Sequence, residues 1–347
     1  PDEPRLATRV NFDAWMRHLA VHDLLGNEET SLATGDRGDY ALYAGTADRR
    51  FALIPYDLDA VLGVQGGTKS PLWRATANPV LGRLMSRPAV AARYWFHLDD
   101  LARTVFSAEQ LEPVIDRLVG DYLPRAEVDR LKSFAAKRCE FVLSQIPREL
   151  TVTTGLAKRD GFFVSYSPEL ELFGQAPAIG TVAVEVNGNA ADWVAPEARW
   201  RAGIALRPGL NRLLVRSLDA DGNEVARQHV DVWHGDAPSR SLGQRLSQST
   251  RWTAAQPLLV ARPLVVPAGV TLTVDPGATV CFGPEGRLLV EGRLFAEGEP
   301  QRRIQFLRSP GATGAWGGIG FSNSAHDNRL AHVDFHHTGS YALAVTN

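Results

Sequence analysis

The sequence predicts a multidomain fold, α+β in its first part and all-β in the rest. Helical spacing of apolar residues dominates up to about residue 148, whereas apolar and polar residues alternate from Thr151 onward. From about residue 258, short strand patterns separated by Gly and Pro turns follow one another with no helical pattern between them. We therefore expect a mostly helical region over 1–148, a β-sandwich over 151–235, a polar linker over 236–257 and an incomplete parallel β-helix over 258–347.

The composition is that of a folded protein without a general affinity for nucleic acid or membranes. Of 347 residues, 44% are hydrophobic and 22% are charged, and the formal net charge is −2. The sequence has no apolar run long enough to predict a membrane-spanning helix. It begins at Pro1 and stops at Asn347 within a strand-like pattern, so we expect truncation at both ends. Cys139 and Cys281 predict neither a disulfide framework nor a Cys-x-x-Cys metal site.

The first region combines helices with one hairpin. The segment NFDAWMRHLAVHDLLG has apolar residues at helical spacing and ends at Gly26, which is typical of a helix C-cap. ALYAGTADRRFALIPYD predicts two short strands, and the run Phe51–Ile54 predicts a strand buried on both faces. Helical patterns resume after Asn78 and continue to about Ile146.

Two acidic residues follow that strand directly, in FALIPYDLDAVLG. Asp57 and Asp59 come after Pro55, which lacks an N–H and therefore ends strand pairing. Acids two positions apart at a strand end point the same way, towards one cation. The alternative is a polar turn in which one of the carboxylates caps the next segment. These residues alone leave both interpretations open.

The middle region predicts a small sandwich of immunoglobulin-like type. TVAVEVNGNAADWV and NRLLVRSLDADGNEVARQHVDVW alternate around Asn187-Gly188 and Asp221-Gly222, which are strong hairpin signals. Asp219, Asp221 and Asn223 faintly resemble a calcium loop, but the glutamate at its twelfth position is missing. The hairpin interpretation is therefore favoured.

The last region resembles the right-handed parallel β-helix repeats of secreted and surface proteins. Apolar pairs two positions apart, such as Leu272 with Val274 and Leu288 with Val290, fit strands that bury one face in a shared core. The segment AHVDFHHTG places His332, Asp334 and His336 on one strand face. They form either a metal site or a solvated outer face.

Three motifs in the first region resemble the CotH kinase family of spore-coat-type proteins. VNFDAWMRHLAVHDLLGN, DYALY and FALIPYDLDAVLG occur in the family's order and spacing, and the helical segments that follow also look like its C-terminal part, over roughly residues 5–147. The resemblance implies a kinase-like C-terminal lobe. It also implies transfer of ATP phosphate to Ser or Thr of extracytoplasmic proteins.

The resemblance also implies roles for particular residues. In Pro55–Asp59, Asp57 falls on the metal-binding aspartate of the family, so Asp57 and then Asp59 are expected to bind Mg²⁺ or Mn²⁺ with ATP. Asp39 replaces a family asparagine and is a further expected metal ligand, while Gly38 replaces a histidine. Glu29 replaces the catalytic aspartate of the GNxD motif and is longer by one methylene group.

The nucleotide-binding half of such a kinase is expected upstream of residue 1. The segment GVQGGTKS nearly fits a P-loop, but Thr68 stands where the final glycine is needed, so it predicts a flexible loop. By itself the chain is therefore expected to be an inactive fragment.

The leading hypothesis is a secreted or surface CotH-like protein kinase. We expect an extracellular, cell-surface or periplasmic location and a protein substrate or surface partner. One alternative is a non-catalytic adhesion or scaffold protein with a degenerate kinase-like module, which the departures at Gly38 and Glu29 favour. A weaker alternative is a polysaccharide-acting β-helix enzyme.

Overall fold

The computed structural model describes residues 3–28, 32, 40–238, 241–323 and 327–346. Along these residues, helices come first, a module of two sheets follows, and three parallel sheets complete the chain. No helix of the described residues is both long and apolar enough to cross a membrane.

The α-helices of the described chain all lie in its first region, whereas the two-sheet module contains one short 3₁₀ helix, Ala195–Glu197. The α-helices are α1 (Glu3–Ala7), α2 (Phe12–Leu25), α3 (Pro79–Met85), α4 (Pro88–Arg103), α5 (Ala108–Val119) and α6 (Arg125–Gln145). A short 3₁₀ helix, Arg74–Ala77, precedes α3. Helices α2, α4 and α6 pack on one another around a core that includes Met16, Leu98 and Val142.

The two ends of α2 are set by local chemistry. The side chain of Asn11 accepts a hydrogen bond from the N–H of Ala14, at 3.2 Å. At the other end Gly26 adopts φ +67°, as predicted for a C-cap. A Cβ added to Gly26 would lie 2.8 Å from Phe134 of α6, so glycine also permits the close approach of that ring.

A two-stranded antiparallel hairpin, β1 (Tyr40–Ala44) and β2 (Phe51–Pro55), lies against α2. The prediction that Phe51–Ile54 is buried on both faces is wrong, because Leu53 alone is buried and Ile54 is 43% exposed. On the side of β2 away from β1, the described residues form a single bridge, between Phe51 and Val10, so the rest of that edge is unpaired. The backbone of Phe51 is nevertheless fixed, since its carbonyl accepts the Trp15 indole N–H at 2.8 Å.

The expectation of a mostly helical first lobe is not supported. Helices make up 25% of the chain. The hairpin and a long irregular stretch between Tyr56 and Trp73 separate α2 from α3. The irregular stretch is rich in Gly and other turn residues, and it lacks the periodic apolar positions that a packed helix needs.

Two sheets share a core in the middle region. Their strands are β3 (Lys158–Arg159), β4 (Phe162–Ser165), β5 (Glu169–Gln175), β6 (Ala183–Val186), β7 (Asn189–Ala190), β8 (Asp192–Val194), β9 (Arg199–Ala205), β10 (Gly209–Leu218) and β11 (Glu224–His234). The order is β3-β4-β11-β10-β6-β7 in one sheet and β5-β9-β8 in the other. Leu172 and Trp200 from the smaller sheet pack with Val186 and Val215 from the larger one. The immunoglobulin-like identification is not confirmed and stays a prediction.

The last region is a parallel β-solenoid of about four turns, which confirms the predicted β-helix. Its strands are β12 (Thr250–Trp252), β13 (Leu258–Val260), β14 (Leu264–Val266), β15 (Thr271–Val274), β16 (Thr279–Phe282), β17 (Leu288–Val290), β18 (Arg293–Glu297), β19 (Ile304–Arg308), β20 (Ile319–Ser322), β21 (Arg329–Ala331), β22 (Val333–His336) and β23 (Leu343–Thr346). Each strand pairs in parallel with the strand three positions later in the chain, which lies in the next coil. Leu272 of β15 thus stacks on Leu294 of β18. The hand of the coil stays a prediction.

The structure places part of the predicted linker on the solenoid. Strand β12 pairs with β15, and Trp252 is buried in the solenoid core. Ahead of it, Ser241 and Arg245 form isolated parallel bridges to β13 and β14. The polar residues of this segment are therefore explained by its position at the surface, along the edge of a coil.

The solenoid packs against the two-sheet module through an apolar contact. Phe162, Leu210 and Trp233 of the module form one buried cluster with Cys281 and Leu307 of the solenoid. The backbone N–H of Leu210 also donates a hydrogen bond to the Thr279 hydroxyl, at 3.2 Å.

Leu294→Ala tests the stacked core of the solenoid. Leu294 is 0% exposed, so removing its side-chain atoms leaves a cavity, and we expect the free energy of unfolding to fall by about 2–5 kcal/mol. The measurement is urea denaturation followed by fluorescence. Arg293→Ala, on the exposed neighbouring position, is the control and should change the midpoint little. Equal effects of the two substitutions would contradict the stacked core.

Candidate functional site

Asp57 and Asp59 lie in the segment that leaves the end of β2. Both side chains are exposed, and neither makes a hydrogen bond or ion pair within the described residues. Neither carboxylate therefore caps a following segment of the described chain, which was the alternative role predicted for them. As far as the described residues are concerned, both carboxylates remain available to a ligand.

Asp57 adopts a left-handed backbone conformation, with φ +54°. Residues other than glycine rarely adopt positive φ, although aspartate tolerates it better than most. Such conformations cluster at functional sites, where the surrounding structure holds them in place. The conformation of Asp57 is therefore an independent indication that this segment is functional.

Glu29, Gly38 and Asp39 lie outside the described residues. Glu28, which directly precedes Glu29, is held by several contacts. The Ser70 hydroxyl donates to its Oε1 at 2.5 Å, and Arg74 donates to its carbonyl oxygen at 2.6 Å. Arg74 also forms an ion pair with the Glu28 carboxylate, at 3.4 Å. The chain leading to Glu29 is thus fixed by two residues of the segment after β2.

A buried arginine, which the sequence analysis missed, holds these segments together. Arg138 of α6 is 1% exposed, and its Nε and Nη2 donate to the carbonyl oxygen of Asp23 at 2.9 and 2.7 Å. Its Nη1 donates to the carbonyl oxygens of Thr68 and Ser70, at 3.2 and 2.5 Å. Burial lowers the pKa of Arg138 from its ordinary value. The acceptor at Asp23 lies in the last turn of α2, where the helix dipole favours a cation.

The carboxylate of Asp23 makes a second set of buried contacts. It accepts a hydrogen bond from the Tyr94 hydroxyl and one from the N–H of Trp73, the latter at 3.3 Å. Burial raises the pKa of Asp23 to about 6, against the opposing effects of the Tyr94 hydrogen bond and the Arg138 charge. Asp23 therefore ties α2 to α4 and to the segment before α3. The only sign of this role in the sequence was the position of Asp23, an acidic residue on the otherwise apolar face of α2.

The P-loop-like segment from Gly63 to Ser70 has a structural role. It presents carbonyl oxygens to Arg138, whereas a phosphate-binding loop presents N–H groups to its ligand. A Cβ added to Gly66 would lie 2.3 Å from the carbonyl oxygen of Gly26, so the loop packs directly on the C-cap of α2.

Two histidines of α2, the buried His22 and the partly buried His18, have no charge partner among the described residues. The rings of His18 and His22 lie 4.3 Å apart, and burial lowers the pKa of each to about 4. For His18 the nearby His22 adds to this lowering. The neutral forms are therefore favoured in the folded protein.

The other polar clusters considered in the sequence are accounted for by local contacts. The Asp219 carboxylate accepts hydrogen bonds from the N–H groups of Asp221 and Asn223, at 2.9 and 2.8 Å, as a turn requires. Asp334 forms a two-pronged ion pair with Arg303 and accepts a hydrogen bond from Gln305. No group of three His, Cys, Asp or Glu side chains suited to a metal ion occurs among the described residues.

Within the described residues, the candidate site thus offers two carboxylates without partners, followed by the anchored loop from Gly63 to Ser70. Mg²⁺ needs only one or two protein carboxylates, because phosphate oxygens and water complete its coordination. Asp57 and Asp59 fit that requirement by chemistry and by exposure.

Residues 3–142 match the family model described as "CotH kinase protein". The match confirms the resemblance that the three motifs indicate, and it spans α1 to α5, most of α6, the hairpin and the segment with Asp57 and Asp59. No curated protein sequence matches the chain.

Arg138→Met tests whether the buried guanidinium holds the first region together. The substitution removes the guanidinium donors from three carbonyl oxygens, of which that of Ser70 is buried and that of Asp23 keeps the Gly26 N–H as a donor, so we expect the free energy of unfolding to fall by about 2 kcal/mol. Lys137→Met, at the exposed preceding position, is the matched control for loss of charge. Urea denaturation measures both, and a wild-type midpoint for Arg138→Met would refute this role.

The buried histidines predict acid sensitivity. Because the pKa of His18 falls from 6.5 to about 4 on folding, its stabilising contribution is complete above pH 6.5 and is lost as the pH falls towards 4. Asp23, with its raised pKa, acts in the opposite sense, since its contribution is lost as the pH rises through about 6.

His18→Phe keeps an aromatic ring beside His22 but removes one titrating group. Between pH 4.5 and 6.5, unfolding free energy should depend on pH less steeply in this variant than in wild type. The difference should be below about 1.4 kcal/mol per pH unit, because the ring is only partly buried. Urea denaturation across a pH series measures it, and parallel curves would contradict the prediction.

Proposed function

We propose that this CotH kinase-type protein transfers phosphate from ATP to Ser or Thr residues of extracytoplasmic proteins. The observation that carries the proposal is the exposed carboxylate of Asp57, which has no partner among the described residues and whose backbone adopts a left-handed conformation within the matched segment. An extracellular, cell-surface or periplasmic location belongs to the same proposal.

Asp57 and Asp59 are the residues that would bind Mg²⁺ or Mn²⁺ with ATP, and Asp39 would assist them. The bound ion neutralises the charge of the phosphate groups. Aspartate oxygens are the hard ligands that such ions prefer, and neither Asp57 nor Asp59 has a competing cationic partner in the described chain.

Glu29 is the proposed catalytic residue, which would orient the acceptor hydroxyl. Phosphoryl transfer depends mainly on positioning, and a displacement of about 1 Å can reduce the rate by about 100-fold. The anchoring of Glu28 by Ser70 and Arg74 would serve that need, because it restrains the chain just ahead of Glu29.

Two ties connect the proposed site to the end of α2. The N–H of Leu62, three residues after Asp59, donates to the carbonyl oxygen of Leu25 at 2.8 Å. Glu28 follows the C-cap Gly26 by two residues. The segment that follows Asp59 and the segment that leads to Glu29 therefore both contact the C-terminal end of α2. The non-catalytic scaffold alternative is not favoured by these observations.

Asp57→Asn tests the proposal in the full-length protein. Removing the charge of a metal-binding carboxylate should lower phosphate incorporation from labelled ATP by at least about 100-fold and leave the melting temperature unchanged. Asp160→Asn is the matched control, because Asp160 is also exposed with φ +50° but lies in the two-sheet module. Equal incorporation by wild type and Asp57→Asn would refute the role of Asp57.

A further inference from the structure

A cleft separates the outer face of the two-sheet module from one side of the solenoid. Its volume is about 510 Å³. One wall contains residues of β10 and the turn before it, and the other contains the segment joining β18 to β19. Leu210, which lines the cleft, donates its backbone N–H to the Thr279 hydroxyl of the solenoid, so the two walls are joined at that point.

The lining of this cleft is strongly basic. Asp334 is the one carboxylate among its lining residues in the described chain. The arginines that line it are Arg207, Arg212, Arg216, Arg302 and Arg303. On β10 the alternation of the strand explains part of this pattern, because Leu213 and Val215 point into the module core and the arginines flanking them point outward.

Two of the arginines are fully engaged. Arg303 forms a two-pronged ion pair with Asp334, with its Nε and Nη2 at 2.9 and 2.8 Å from one carboxylate oxygen. Arg216 donates from Nε to the Glu185 carboxylate of the neighbouring strand, at 2.8 Å. Neither has a free charge to offer a ligand.

Three other guanidinium groups keep unused donors. Arg207 makes no side-chain hydrogen bond or ion pair within the described residues. Arg212 has only a long approach to Asp231, at 3.9 Å. Arg302 lies 3.8 Å from the Glu299 carboxylate and donates to a backbone carbonyl. Two of the three come from the module and one from the solenoid, so packing the two walls together brings like charges together at an energetic cost.

The chemistry of these groups selects the ligand. Guanidinium groups bind phosphate and sulfate oxygens through paired hydrogen bonds, and the amide of Gln301 adds a neutral partner. The volume falls within the range of small-molecule sites and is larger than one oxyanion needs. The lining residues include no Phe, Tyr or Trp ring on which a nucleobase would stack.

We propose that this cleft binds a compact polyanion with two or more phosphate or sulfate groups, held by Arg207, Arg212 and Arg302 across the two walls. This site is separate from the proposed phosphotransfer site and does not depend on it.

Isothermal titration calorimetry of the whole chain with three probes tests the proposal. The probes are inorganic tripolyphosphate, a heparin-derived tetrasaccharide and neutral maltotetraose. We expect at least one polyanion to bind, more weakly at 500 mM than at 50 mM NaCl because salt screens the charges, and maltotetraose not to bind. Binding of tripolyphosphate alone identifies phosphate chemistry, binding of the tetrasaccharide alone identifies a sulfated sugar, and binding of both identifies an oxyanion site without that selectivity.

Variants locate the binding. Arg207→Gln and Arg212→Gln should each weaken binding by about tenfold or more, because each removes a charge-assisted contact. Arg293→Gln makes the same charge change at an exposed solenoid position outside the cleft and should bind as wild type does. Unchanged melting temperatures verify folding, since the side chain of Arg207 has no partner to lose among the described residues. Failure of both polyanions to bind at about 1 mM, or wild-type affinity in the Arg207→Gln, Arg212→Gln double variant, would overturn the proposal.

Discussion

The first region of this protein depends on one buried cation. A guanidinium group removed from water is tolerated only when its donors are satisfied, and Arg138 meets that condition with three backbone carbonyl oxygens. Those carbonyls belong to the last turn of α2 and to the segment after β2, so the chain must bring both to α6. The close packing of Gly66 on Gly26 follows from the same convergence.

The meeting of these segments at α6 holds the loops of the proposed site in place. The loops that leave α2 and β2 have little apolar surface of their own, yet Arg138, Arg74 and the Leu62–Leu25 hydrogen bond tie them to a helix end. Mobile loops position ligands poorly, whereas loops anchored to a helical core hold them in place. Asp57 is left exposed beside this anchored scaffold, with no partner of its own in the described residues.

The β regions show which parts of the fold could be predicted from the sequence. Two features were predicted correctly because they depend on local conformation and strand alternation. They are the Asn187-Gly188 turn, with φ of +51° and +82°, and the apolar pairs of the solenoid coils. The burial of Phe51–Ile54 was predicted wrongly, since an apolar run does not reveal how many strands flank it. The predicted roles of Glu29 and Asp39 fall outside the described residues.

The sequence by itself determined the order of the regions, the C-cap at Gly26, the coil repeat and the candidate acids at Asp57 and Asp59. All of these are set by residues within a few positions of one another, where periodicity and turn chemistry act directly. The tertiary structure alone decided the bond between Asp23 and Arg138, which are 115 positions apart, and the arginines facing each other across the cleft. Such partners meet only after folding, because pairing over that distance depends on how whole elements pack and leaves no local pattern in the chain.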